Sequence, residues 1–238
     1  MSVYQLDDDL WFPDPHQGEE GGLIAVGGDL SPDRLLLAYS NGFFPWYSFR
    51  HESQPSWYCP MDRFVIIPKE IHISHSMRQM MAQNKYSVTF NENFDAVIRG
   101  CAEVNGRCHD GGAWLGPDMI EAYTKLHDMG YAVSVEVWES MDATAGSTSE
   151  SPRGKLVGGL YGVSFNNIFF GESMFSLVPS ASKLALIRLA QALDMIGGPL
   201  IDCQFETPHL KSMGGRYMSY ETYMEIIRSQ QQIEHNKE

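Results

Sequence analysis

Glu172, Asp202 and Gln204 are the residues best suited to chemistry in this chain of 238 residues. Each follows a run of core-type side chains: Ile168-Phe169-Phe170-Gly171 leads to Glu172, and Leu200-Ile201 leads to Asp202-Cys203-Gln204. Apolar side chains hold a strand inside a core, so a carboxylate beside them must meet a cleft or a partner. Two such strand ends, separated by one helix, bring all three polar groups to a single pocket. A carboxylate placed there can orient a neighbour, hold a cation or handle a proton. A Gln amide is a very poor base at neutral pH and is suited to orienting. Strand alternation puts Asp202 and Gln204 on one face, with Cys203 turned away. Taken singly, each carboxylate also has a plainer reading, Asp202 as a buried turn cap and Glu172 as a hydrogen-bond hub.

The elements that must position these groups fall into two units. Ser31 and Pro32 open a helix that Asn41-Gly42 stops. The aromatic, Pro-rich run 43–60 excludes a regular helix, and 64–67 suits a strand that Pro68 ends. A helix near 76–83 and a strand near 87–90 complete a small amino-terminal α/β unit over 1–90. The second unit, 91–238, reads as helices at 91–101 and 117–129, strands at 131–138, 155–163 and 168–171, a helix at 182–196, a strand at 200–204 and a final helix from 219. Asn166-Asn167 suits a tight hairpin turn. The polar stretch 139–154 reads as a mobile surface insertion without a function of its own. There is no internal repeat.

Composition narrows the class. Hydrophobic residues make up 43 % of the chain and mean hydropathy is -0.25, as expected of a chain with a sizeable core. No apolar run has the length of a membrane helix, and the acidic residues 1–9 lack the pattern of an export signal. Cys59, Cys101, Cys108 and Cys203 are too few and scattered for a disulfide framework, so reduced thiols and a cytoplasmic location are expected. A net charge of -13 argues against holding nucleic acid by bulk electrostatics. A local patch stays open, since Arg34, Arg50, Arg63, Lys69, Arg78 and Lys85 share the first third. His72 with His75, and Cys101 with Cys108-His109, lack paired metal-ligand spacing, so no metal is expected.

Four motifs in order, Gly27-Gly28-Asp29-Leu30-Ser31-Pro32, Gly42-Phe43-Phe44-Pro45-Trp46-Tyr47, Phe170-Gly171-Glu172-Ser173-Met174-Phe175-Ser176 and Asp202-Cys203-Gln204, give the chain a wider likeness. From about residue 23 to 214 it resembles the leucyl/phenylalanyl-tRNA–protein transferase family. The resemblance implies transfer of Leu or Phe, and less readily Met, from aminoacyl-tRNA to proteins that begin with Arg or Lys. The peptide bond so formed makes an N-degron that marks the acceptor for degradation. It implies an α/β (α+β) fold, with a GCN5-related N-acetyltransferase-like (GNAT-like) domain behind the small one, an order the predicted elements match. A monomer without cofactor is expected. The donor ester is already activated, so orientation, which can lower a barrier by about 7–11 kcal/mol, suffices without a covalent nucleophile.

The resemblance also assigns roles. Asp202, Gln204 and Glu172 serve the reaction centre: Asp202 orients Gln204 or handles a proton, Gln204 accepts a hydrogen bond from the attacking amine, and Glu172 meets a cationic acceptor. Leu160, Phe169, Met174, Leu186, Leu193 and Ile201 match the donor side-chain pocket, each with core packing as its alternative. Met adapts to both Leu and Phe, and Leu186 and Leu193 lie two helical turns apart. The resemblance places Trp46 and Trp114 at the terminal adenosine, where Trp57 and Tyr58, as aromatics near Arg, are also suited to stack; Trp46 and Trp57 have an inter-domain clamp as the alternative. Gly112-Ala113-Trp114-Leu115-Gly116 departs from a commoner Thr-Trp-Ile-Thr run. Ser176, Ser180, Lys183 and His209 are supporting residues, with Ser180 capping the helix and Lys183 reaching phosphate or solvent. One rival, an acyl-CoA N-acyltransferase, needs a Gly-rich pyrophosphate loop, and 176–180 contains Pro and no Gly. The other, a tRNA- or peptide-binding module without catalysis, would tolerate loss of Asp202 and Gln204.

Overall fold

The computed structural model describes residues 3–46, 54–108, 115–139 and 154–235. Four short strands come first: β1 (Tyr4–Leu6), β2 (Leu23–Gly27), β3 (Phe44–Pro45) and β4 (Ser56–Tyr58), with α1 (Pro32–Ser40) between β2 and β3. They form a sheet in the order β1-β2-β4-β3. As the sequence predicts, Ser31 caps α1, its hydroxyl accepting from the Arg34 N–H at 3.3 Å, and Gly42 leaves the helix at φ +81°. The strands of this sheet are too short and too interrupted by Gly and Pro to show a period of two.

The chain continues as β5 (Asp62–Ile66), α2 (His75–Ala82), β6 (Tyr86–Phe90), α3 (Phe94–Cys108), α4 (Pro117–Asp128), β7 (Ala132–Glu139), β8 (Lys155–Phe165), β9 (Ile168–Ser176), α5 (Ala181–Met195), β10 (Ile201–Asp202), α6 (Pro208–Ser212), β11 (Arg216–Ser219) and α7 (Tyr220–His235). Seven strands make the larger sheet, ordered β11-β5-β10-β9-β8-β7-β6. Among the described strands of this sheet only β9 and β10 pair in parallel, α5 crossing between them. β5 and β6, which the sequence reading groups with the amino-terminal unit, hydrogen-bond into this sheet. Asn166 and Asn167, at φ +52° and +57°, make the predicted turn between β8 and β9. Of the predicted insertion 139–154, Glu139 instead ends β7, and residues 140–153 lie outside the described residues.

Alternation on the central strands feeds a core on each face. Tyr161 and Phe170 pack with Val97, Ile98 and Tyr123 of α3 and α4, while Leu160 and Phe169 pack with Leu186, Leu189 and other buried residues of α5. Among the described residues no helix is long and apolar enough to cross a membrane.

A buried ion pair bridges two neighbouring strands of the larger sheet and reaches the small sheet through an aromatic ring. Arg63 of β5 and Asp202 of β10 are both buried, and the guanidinium meets the carboxylate through Nε at 2.9 Å and Nη2 at 2.8 Å. Tyr223 of α7 donates to the same carboxylate at 2.7 Å. The guanidinium also lies 4.6 Å from the Phe44 ring of β3 and 4.9 Å from the Tyr223 ring. Arg63→Met strands a carboxylate in the core and should cost about 3–5 kcal/mol in urea denaturation, whereas Arg63→Met with Asp202→Leu should recover most of it. Unchanged stability of the single variant would show that the pair does not tie these elements.

Candidate active site

β10 ends at Asp202, paired with Phe170, while β9 runs on to Ser176. Past that last pair the two parallel strands no longer bond, and a cavity of about 820 Å³ lies between their continuations. Leu160, Phe169, Met174, Leu186 and Ile201 give it an apolar wall. Glu172, Gln204, Glu206 and His209 bring polar groups, and Phe44, Trp46 and Phe205 an aromatic side.

Glu172 is positioned by an irregularity in the strand. Tyr161 pairs with Ser173 and Gly162 with Gly171, so Glu172 is the extra residue of a β-bulge. The bulge resets the alternation: Phe170 and Phe175, five apart, enter the same core. The sequence reading ends the strand before Glu172; the structure instead puts this residue mid-strand, turned by the bulge. Its Oε1 accepts from Tyr39 at 2.7 Å and its Oε2 from Tyr123 at 2.6 Å, and the two phenol oxygens lie 2.8 Å apart. Burial outweighs these two donors and pushes the Glu172 carboxyl up to about 7.

Gln204 owes its place to Asp202. The Asp202 Oδ1 accepts from the Gln204 N–H at 2.9 Å, and the Phe205 N–H donates to the Cys203 carbonyl at 2.7 Å. Gln204 stands at φ +58° in the resulting tight turn, a left-handed conformation costly for a residue with a Cβ. The expected alternation therefore fails. Cys203 and Gln204 both line the cavity, and Asp202 is fully buried against Arg63 and Tyr223. Burial pushes the Cys203 thiol well above the ordinary cysteine range, which leaves it a poor nucleophile at neutral pH.

The family model described as leucyl/phenylalanyl-tRNA protein transferase matches residues 65–228, and the model of that family's N-terminal domain matches residues 28–61. The chain belongs to the leucyl/phenylalanyl-tRNA–protein transferase family. A family member from Syntrophobacter fumaroxidans is 46 % identical over 228 residues, 95 % of this chain and 90 % of the relative. One from Syntrophus aciditrophicus is 47 % identical over 229 residues, 96 % and 89 % of the two chains. One from Flavobacterium johnsoniae is 42 % identical and is covered over its whole length, with 95 % of this chain. Among solved structures, that of L-PGS from Bacillus licheniformis aligns at a TM-score of 0.39 and 10 % identity over 78 % of this chain and 54 % of that one, too distant to carry an argument.

The residues expected from the family resemblance divide as follows. Of the donor-pocket set, Leu160, Phe169, Met174, Leu186 and Ile201 line the cavity, while Leu193 packs away from it beside Gly198. Trp46 is exposed at the cavity, its ring 5.4 Å from Phe205 and 5.5 Å from Tyr58. Trp57 corrects the expectation: it is fully buried and donates its indole N–H to the Gly27 carbonyl at 2.9 Å, so no base can stack on it. Trp114 lies outside the described residues. Ser180 does not cap α5. It sits at φ +68° without a side-chain bond, and the Ser176 hydroxyl instead accepts from the Ser182 N–H at 2.8 Å. His209 lines the cavity, and burial, then the nearby Lys183 charge, lower its pKa.

The sequence reading missed Tyr39, Tyr123, Arg63, Tyr223, Phe205 and Glu206 as parts of the site. Arg63 carried the same signal as Glu172, a charge within an apolar strand. The tyrosines sit at core spacing and carry none.

Glu172 gives the site a pH signature. Its folded pKa lies above its ordinary value, so the folded chain holds the proton more tightly. The stability this contributes is full below about 4.5 and is lost as pH rises through about 7. Glu172→Gln should therefore gain on the unaltered chain as thermal unfolding is measured from pH 5 to 8.5. Parallel curves across that range would contradict the assignment.

Proposed function

We propose that this chain moves Leu or Phe, and less readily Met, from aminoacyl-tRNA to the amino-terminal Arg or Lys of acceptor proteins. The observation that carries the reading is family membership over nearly the whole chain, joined to one cavity with an apolar wall, an aromatic side and a polar turn. The donor side chain lies against Leu160, Phe169, Met174, Leu186 and Ile201. Trp46, with Tyr58 and Phe205 beside it, stacks on the terminal adenosine. The acceptor amine, once neutral, attacks the ester carbonyl; the C–N bond forms, the bond to the ribose oxygen breaks, and the amine's proton passes to that oxygen. Gln204 accepts a hydrogen bond from the attacking amine and so aims its lone pair. Asp202, buried and saturated by donors, acts as a positioning residue through the Gln204 turn, not as a proton carrier. Glu172 supplies the negative side of the acceptor site.

The larger sheet, with its parallel pair parting at the cavity, supports a GNAT-like acyltransferase unit from about residue 62, with a small unit before it. We take the protein to act in the cytoplasm as a monomer without cofactor, in marking acceptors for degradation. The Ser182 N–H at the start of α5 is already bonded to Ser176, which disfavours the pyrophosphate site an acyl-CoA enzyme needs.

Labelled Leu-tRNA, offered with peptides that begin with Arg, Lys or Ala, tests the proposal: Leu should enter the first two alone. Gln204→Ala should lower kcat by roughly 100-fold, and Trp46→Ala should raise the KM for Leu-tRNA by about tenfold while sparing the peptide KM. Equal incorporation into all three peptides would refute the acceptor assignment.

A further inference from the structure

An acceptor that begins with Arg presents two cations, and the reaction needs only one of them deprotonated. The α-amine must become neutral to attack, while the guanidinium stays charged throughout. Two carboxylates line the cavity, Glu172 and Glu206. They are not equivalent. Both oxygens of Glu172 already accept from tyrosine hydroxyls on α1 and α4. Glu206 lies two residues past Gln204, with a side chain 29 % exposed, and its Oε1 is held by the Lys211 ammonium at 2.9 Å. Lys211 itself is 65 % exposed, so the pair sits at the cavity's rim.

An ion pair of this kind is weak and readily exchanged for another cation. A guanidinium entering beside Gln204 meets the Glu206 carboxylate at little net desolvation cost, because one cation replaces another. We propose that Glu206 is the specificity residue for the acceptor's Arg or Lys side chain, and that Lys211 is an internal cation which the acceptor displaces. The inference rests on the transferase reading above and names the group that would select its substrate.

The exchange makes opposite predictions for the two partners. Peptides that begin with Arg, Lys or citrulline, a neutral isostere of Arg, are compared at saturating Leu-tRNA. Glu206→Gln should raise the KM of the Arg peptide about five- to tenfold and reduce the preference for Arg over citrulline by a similar factor. Lys211→Ala should lower the KM of the Arg peptide, since the competing cation is gone. If Glu206 and Lys211 only brace the loop, both variants break the same bridge and shift KM in the same direction, which would overturn the proposal. A Lys211→Ala variant that raises only the KM for Leu-tRNA would overturn it too, by making Lys211 a phosphate ligand. An unaltered protein that transfers no Leu to any peptide would instead refute the underlying transferase reading. Thermal melts of both variants confirm that each is folded during the comparison.

Discussion

The buried pair of Arg63 and Asp202 is the constraint on which the site depends. Taking two charges out of water costs several kcal/mol each, and the bidentate contact, the Tyr223 hydroxyl and the Gln204 N–H offset that cost together. A pair of apolar side chains could fill the same volume at equal or better stability. What they could not do is hold a backbone N–H at a fixed point. The Asp202 carboxylate does so, and the tight turn that follows turns Gln204 into the cavity. The same guanidinium covers Phe44, which brings the aromatic side of the cavity, contributed by the small sheet, into register with the larger sheet.

Glu172 complements this arrangement from the other strand. A bulge moves it out of the alternation, and two tyrosines, one from α1 and one from α4, clamp its carboxylate. The clamp couples the small unit to the helices behind the sheet, and burial raises the carboxyl to about 7. A carboxyl held near neutrality suits the wall of a site whose acceptor must present a neutral amine. Both strands thus rely on an irregularity, a bulge within β9 and a left-handed residue after β10, to aim polar groups at the cavity.

Much of the scaffold is legible in the sequence because local chemistry dictates it. Ser31 and Pro32 start α1, paired asparagines turn the hairpin, and apolar runs mark β7 to β10 and α5. The cavity's apolar wall also follows from the family resemblance, with Leu193 the exception. The irregularities are not legible. Nothing in Phe170-Gly171-Glu172-Ser173 marks one residue as extra, and Gln has no preference for positive φ that would betray the turn at Gln204. Trp57 reads alike in sequence whether it meets a ligand or packs as a clamp, and its full burial with the bond to Gly27 decides for packing. Tyr39 and Tyr123 sit at ordinary core spacing, and their hydroxyls meet Glu172 because the bulge turns it towards them.

The central claim is that Asp202 works through the Gln204 turn and not by touching the substrate. A double-mutant cycle on kcat, with Asp202→Ala, Gln204→Ala and both together, measured on protein shown to be folded by near-UV circular dichroism, tests it most directly. The account predicts strong coupling, with Asp202→Ala costing little further once Gln204 is gone. Losses that multiply independently would contradict it and give Asp202 a role of its own in the chemistry.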